Sequence, residues 1–284
     1  MMAHRFVGRA IETGYWMPGD NYLELILGAI RDFVEDGDIL VVSEKALSVA
    51  KGRIVDESLV SPSFLARFIA HFWMRVVWGC FLGAVCRLKP INVRRLREYP
   101  VREGSAHKQV ALWYAGFLDS LLWGSEGGID ASNLPYSYVS LPLEYPEETA
   151  QEIHSFLRRT LSKHVAVMIV DTDKTYSFGR FHFTHRRKPM KGIRTFFGVF
   201  AYIIGRALNL KSRSTPLAVA GLLMDAELAL ELAEAAHRLR GSGLGRTVWD
   251  MAESLGVDLT GVTWEMLKSF RHKPIVVFRH CKEK

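Results

Sequence analysis

The sequence predicts an α/β or α+β assembly, and three observations carry that prediction. Two short apolar runs, "ILVV" at 39–42 and "HVAVMIV" at 164–170, each end in polar residues, the pattern of a buried strand with functional groups at its C-terminal end. A third run, "KPIVVFRH", closes the chain as another buried strand. Between them stand helical segments, the strongest being "AELALELAEAAHRLRG" at 226–241, rich in Ala, Leu and Glu and stopped by Gly241.

In order along the chain, residues 22–34 show helical spacing, and "DGDILVVSEK" reads as a turn feeding the strand 39–42, with a polar step at Ser43, Glu44 and Lys45. The segment "FLARFIAHFWMRVVWGCFLGAVC" at 64–86 is long enough to cross a bilayer, but Arg67, His71 and Arg75 recur every four residues and share one helical face opposite Phe68, Phe72, Trp73, Val76 and Val77. An arginine near mid-span costs roughly 2.5–3.5 kcal/mol. A packed helix or subunit interface is therefore expected, with a membrane-surface helix and then a true span as the alternatives. The apolar run 110–123 leads into "GSEGGIDASNLP", a turn by composition. "YSYVSLPLEYPEE" is extended, and Pro146, Glu147 and Glu148 start a helix to about residue 162 with acids in its first turn. The strand 164–170 runs into Asp171 and Asp173. Segments 87–107 and 181–215, both basic, are the least readable.

The 284 residues, 49% hydrophobic, suffice for one large domain or two modest ones, without repeats or low-complexity linkers. A formal charge of +7 favours an anionic partner: nucleotide, phosphorylated metabolite, nucleic acid or membrane surface. Three cysteines without a CxxC or Cys/His pattern, and an N-terminus lacking the apolar core of an export signal, predict a reduced cytoplasmic protein without structural zinc.

Ligands of such sheets gather at the C-terminal edge of the strands. Asp130 just past 110–123, Asp171 just past 164–170, and Lys45 after 39–42 would meet there. Paired acids with a lysine suit a divalent metal and a phosphate; equally, acids cap helices that follow strands. Nothing fits the GxxxxGK[ST] phosphate loop. "GSGLG" at 241–245 follows a helix, so it reads as a helix cap and flexible loop before a dinucleotide fingerprint. "HFTHRRKPMK" reads as a solvated basic face or a phosphate site, and His107, His182 and His185 as ordinary surface or partly buried histidines.

The blocks "MPGDNYLELI", "DGDILVVSEKALSVAKGRIV", "GGIDASNLP", "VAVMIVDT", "FGR", "MDAELALELAEAA" and "PIVVFRH" stand in the order of the coenzyme F420-0:L-glutamate ligase family, which the chain resembles over about half its length. The resemblance implies a single γ-glutamyl-ligase-like domain over 1–284, α+β with a mixed sheet and flanking helices, forming an intertwined homodimer. It implies GTP, or ATP, as co-substrate with Mg²⁺ or Mn²⁺: the precursor's carboxylate is phosphorylated and the amine of L-glutamate displaces phosphate. By the match, Asp130, Asp171 and Thr172 would hold metal. Thr13, Gly14, Tyr15, Trp16, Ser43, Glu44, Lys45, Asn133, Gly241 and Ser242 would line the nucleotide, with Lys45 on the transferring phosphoryl group. The partners implied are nucleotide, glutamate and an anionic acceptor, and no nucleic acid.

The chain also departs from the family. "DKTYS" is inserted between Asp171-Thr172 and Phe178-Gly179-Arg180, which is expected to alter a loop beside the metals. Glu44 replaces a Gln, Val49 a second lysine, and Ser242 a metal-binding Gln or Glu. Residues 61–105 are more apolar and aromatic than the family. These departures keep open a non-catalytic nucleotide- or phosphate-binding paralogue, and a membrane-surface or partner-binding protein acting through 64–86.

Overall fold

The computed structural model describes residues 6–281; Met1–Arg5, where the leader expectation partly falls, and the last three residues lie outside the described residues. Its strands are β1 (Phe6–Thr13), β2 (Ile39–Ser43), β3 (Ile54–Asp56), β4 (Tyr138–Ser140), β5 (Ala166–Phe178), β6 (Phe181–Thr184), β7 (Arg194–Thr195), β8 (Lys211–Ala220) and β9 (His272–His280). The fold is α+β. One mixed sheet runs β1-β9-β2-β5-β6-β7, with β8 also paired to β5, and β3 and β4 form a separate ribbon. β2 and β5 are parallel, Ile39 opposite Ala166 and Ser43 opposite Val170, so both deliver their following residues to one edge.

Alternation along the central strands splits the core into two layers. Leu40, Val42, Val167, Ile169, Ile275 and Val277 face the helices Tyr22–Ile30, Glu44–Ala50 and Pro146–Leu161. Ile39, Val41, Met168, Val170, Val276 and Phe278 face Ala229, Leu230 and Ala233 of the helix Ala226–Arg240. That helix is capped by Asp225, whose side chain accepts from Leu228 N at 2.8 Å, and ends at Gly241 with φ +73°, a conformation glycine adopts without steric cost.

The structure corrects several expectations. The segment "DKTYS" is not a loop: it is the outer half of β5, which pairs with β8 as far as Ser177 and with β6 as far as Phe178. The irregularity falls earlier, where the pairing with β8 shifts between Asp171 and Lys174 and leaves Thr172 and Asp173 as a bulge, a device that re-aims side chains beside functional sites. The apolar run 110–123 feeds no strand. It lies in the helices Val101–Tyr114 and Phe117–Ser120, separated by Gly116 at φ +85°.

Residues Phe64–Val85 form one helix, long and apolar enough by length and composition to cross a membrane. Over Ile69–Leu82 it is wound as a π-helix, which widens the repeat so that Ala66, Ala70, Met74 and Trp78 share the inward face. Trp73 and Trp78 both donate Nε1–H to Leu121 O, at 2.8 and 2.7 Å. The face expected to pack does so only in part: Trp73 lies against the core, whereas Phe68 and Phe72 stack on each other at 5.3 Å on the exposed side, with Val76, Arg67 and His71 also exposed.

Candidate functional site

β2 ends at Ser43 and β5 passes Asp171 side by side, so Glu44 and Lys45 stand beside the β5 bulge. The 127–133 turn crosses above them, fixed where Asp130 N donates to Ser140 O at 3.2 Å and Ser140 N to Asp130 O at 3.0 Å. Asp130 Oδ1 accepts from Ser132 N at 2.7 Å, an Asx turn, and Asn133 takes φ +54°. This sets the Asn133 amide against the glycine loop: Oδ1 accepts from Leu244 N at 2.8 Å and Nδ2 donates to Gly245 O at 3.1 Å.

These elements enclose a cavity of about 370 Å³. Its walls include Tyr15, Trp16, Ser43, Glu44, Lys45, Asp130, Asn133, Asp171, Thr172, Gly241 and Ser242, so eleven of the residues named from sequence meet in one place. Thr13 and Gly14 do not line it; Thr13 Oγ1 accepts from Trp16 Nε1 at 3.1 Å and so orients the ring that does. A second cavity, about 1010 Å³, opens alongside and shares Asp130, Ser132, Thr172, Lys174 and Arg246 with the first. Aromatic Tyr99, Trp123, Tyr138 and Trp249 line it, together with Arg67 and Arg102.

Within the smaller cavity the carboxylates are paired. Lys45 Nζ lies 3.0 Å from Asp130 Oδ2 and donates to the backbone carbonyl of Ser132. Glu44 does not face open space: its Oε1 accepts from Leu143 N at 2.7 Å and from Arg186 Nη2. Burial pushes the Glu44 carboxyl up, with Arg186 pulling against it. Asp171 Oδ2 accepts from Arg186 Nε at 2.7 Å. The bulged Asp173 is buried against His185 Nε2 at 3.1 Å, and Lys174 lies 3.0 Å from Glu234.

The two carboxylates expected to hold a divalent ion, Asp130 and Asp171, therefore face cations of the chain itself. Among the described residues no three His, Cys, Asp or Glu side chains converge as a metal-binding group. Both oxygens of Asp130 and one of Asp171 are engaged, so this donor set does not fit a bound Mg²⁺ or Mn²⁺ as it is arranged.

Sequence reasoning missed two arginines. Arg186 belongs to the basic run read as a solvated face or a phosphate site, yet it is 2% exposed; His182 and His185 of the same run are also buried, His182 Nδ1 lying 2.9 Å from Ser177 Oγ. The signal was their position at the end of a strand, "FHFTHR", where inward residues need partners. Arg240, the last residue of the helix Ala226–Arg240, lines the cavity with no hydrogen-bond or ion-pair partner among the described residues. Burial pulls its guanidinium down to about 10, with Asp171 pulling back, so it stays charged at neutral pH.

A mixed-sheet α+β domain thus gathers acids, a lysine and a glycine loop at one sheet edge, and comparison of the whole chain says which family it belongs to. Residues 10–256 match the model of the F420-0:Gamma-glutamyl ligase family, and the chain belongs to it. It is 32% identical to an uncharacterized protein of Methanocaldococcus jannaschii, over 96% of each chain. It is 26% identical to the Coenzyme F420:L-glutamate ligase of Methanopyrus kandleri, over 55% of this chain and 54% of that one. To the ligase of the same name from Archaeoglobus fulgidus it is 28% identical, over 55% of each. The matches to the two named ligases thus span about half of their length.

Proposed function

We propose that this chain is a nucleoside-triphosphate-dependent ligase that joins L-glutamate to the carboxylate of an anionic acceptor, with the coenzyme F420 precursor as the candidate and GTP, or ATP, as phosphoryl donor. One observation carries the reading: residues of the family-like blocks "DGDILVVSEK", "GGIDASNLP" and "VAVMIVDT" are far apart in sequence and share the walls of one cavity, which the loop at Gly241 and Ser242 completes. The triphosphate would lie in that smaller cavity, close to Lys45, Arg240 and Arg246. The larger, aromatic-walled cavity would hold the acceptor, its carboxylate reaching the shared wall at Asp130, Ser132 and Thr172.

In this reading an acceptor carboxylate oxygen attacks the γ-phosphorus and the nucleoside diphosphate leaves. The glutamate amine then attacks the acyl carbon of the acyl-phosphate and inorganic phosphate leaves with that oxygen. Positioning and charge stabilisation do most of the work in phosphoryl transfer. Lys45 would swing from Asp130 to the transferring group, and Arg240 needs to break no pair to bind phosphate. The chain would act in the cytoplasm as a homodimer.

Incubation with GTP or ATP, Mg²⁺, glutamate and the precursor, read by mass spectrometry, tests the proposal through a product heavier by one glutamyl residue. Lys45→Ala should lower kcat more than nucleotide affinity, because charge develops in the transition state. The pairing of Lys45 with Asp130 favours a second reading, a nucleotide-binding paralogue; it would return only background phosphate release, equal in wild type and Lys45→Ala.

A further inference from the structure

Arg186 sits beneath the 127–130 turn and is 2% exposed. Its three nitrogens serve three segments: Nε donates to Asp171 Oδ2 at 2.7 Å, Nη1 to Gly127 O at 2.7 Å, and Nη2 to Glu44 Oε1. Its own backbone is fixed on both sides, N donating to Thr184 Oγ1 at 3.1 Å and O accepting from Thr195 Oγ1 at 3.2 Å. The turn is shaped around it. Gly128 has φ +96°, and a Cβ there would come within 2.5 Å of Arg186 Cζ.

Two carboxylates and a backbone carbonyl converging from three segments are oxygen donors of the type a hard divalent cation collects. Here a planar, permanently charged guanidinium collects them. We infer that Arg186 takes the place of a protein-bound divalent cation at the end of β2 and β5, so that the chain organises this edge with a charge of its own. A divalent ion would then reach the cavity only as the counter-ion of a bound phosphate compound. The inference concerns the apo site and does not require turnover, so it stands or falls separately from the ligase reading.

The test is titration of the full chain with Mn²⁺ alone, free Mn²⁺ being followed by electron paramagnetic resonance. Wild type should show no binding that depends on Asp171. Arg186→Gln, which frees Glu44 and Asp171, should gain one Mn²⁺ per chain, at least about tenfold tighter than any binding in wild type, and adding Asp171→Asn should remove the gain. A wild-type Mn²⁺ site lost in Asp171→Asn would overturn the inference, since the ion would then displace the guanidinium. A folded Arg186→Gln without the gain would overturn it too. Should Arg186→Gln not fold, the comparison of wild type with Asp171→Asn decides alone: no Asp171-dependent site supports the inference, and such a site refutes it.

Discussion

Asn133 offers a graded test of how the glycine loop is held over the smaller cavity. Its amide makes two bonds to the loop, from Leu244 N at 2.8 Å and to Gly245 O at 3.1 Å, while its backbone carbonyl accepts from the Tyr15 hydroxyl at 2.6 Å whatever the side chain. Each amide bond contributes about 1 kcal/mol net. Asn133 also sits at φ +54°, where a residue with a Cβ and no local polar group costs about 1 kcal/mol. Asn133→Asp keeps the acceptor for Leu244 and should cost about 1 kcal/mol. Asn133→Gly loses both bonds but suits the backbone, about 2 kcal/mol. Asn133→Ala loses both and adds strain, about 3 kcal/mol of overall stability, while loop opening rises roughly thirtyfold from the two lost bonds, as in Asn133→Gly. Hydrogen exchange of a peptide spanning 241–247 reads the opening directly, and nucleotide affinity should fall in the same order. Equal protection in all three variants and wild type would refute the reasoning.

The larger cavity supplies a pH test. His107 lies 2.7 Å from Glu57 and 3.1 Å from Glu126, and against burial these carboxylates hold its pKa up at about 10, from 6.5. A raised folded pKa contributes stability fully below about 6.5 and loses it as pH rises through about 10. His107→Gln should therefore cost about 3–5 kcal/mol at pH 6, the gap to wild type narrowing by about 1.4 kcal/mol per pH unit above 6.5; denaturant melts showing a constant gap from pH 6 to 10 would contradict this. A homodimer is expected to cover part of the apolar surface at Phe64, 85% exposed, Phe68 and Phe72. Light scattering should give a dimer mass that Phe72→Glu lowers, and a monomeric wild type at micromolar concentration would exclude that assembly.

What the sequence made legible follows from where apolar patterning is strong. β2, β9 and the first half of β5, Ala166 to Val170, are buried on both faces and read as continuous runs. β8 was hidden because its first half, Ser212 to Thr215, is polar and partnered: Arg213 with Glu227, Ser214 with Glu234, Thr215 with Thr175. Such pairing is tertiary and leaves no period in the chain. For the helix Phe64–Val85 the four-residue spacing that groups Arg67, His71 and Arg75 also groups Ala66, Ala70, Met74 and Trp78, and it is this second row, with no large apolar contrast in the sequence to mark it, that packs inward. At the site, motif matching gathered the walls of the cavity, because those residues lie directly after strand ends or at glycine turns. It could not find Arg186, whose partners Glu44 and Asp171 are 142 and 15 residues away.

Oxygen transfer from acceptor to phosphate tests the account at its centre. With the precursor's carboxylate labelled with ¹⁸O, and with glutamate and GTP or ATP present, the account predicts that each phosphate released in step with glutamyl product carries one labelled oxygen, because the acyl-phosphate surrenders it when the amine attacks. Phosphate released without label, at a rate unchanged when acceptor and glutamate are left out, would contradict it and leave a nucleotide-binding protein without ligase activity.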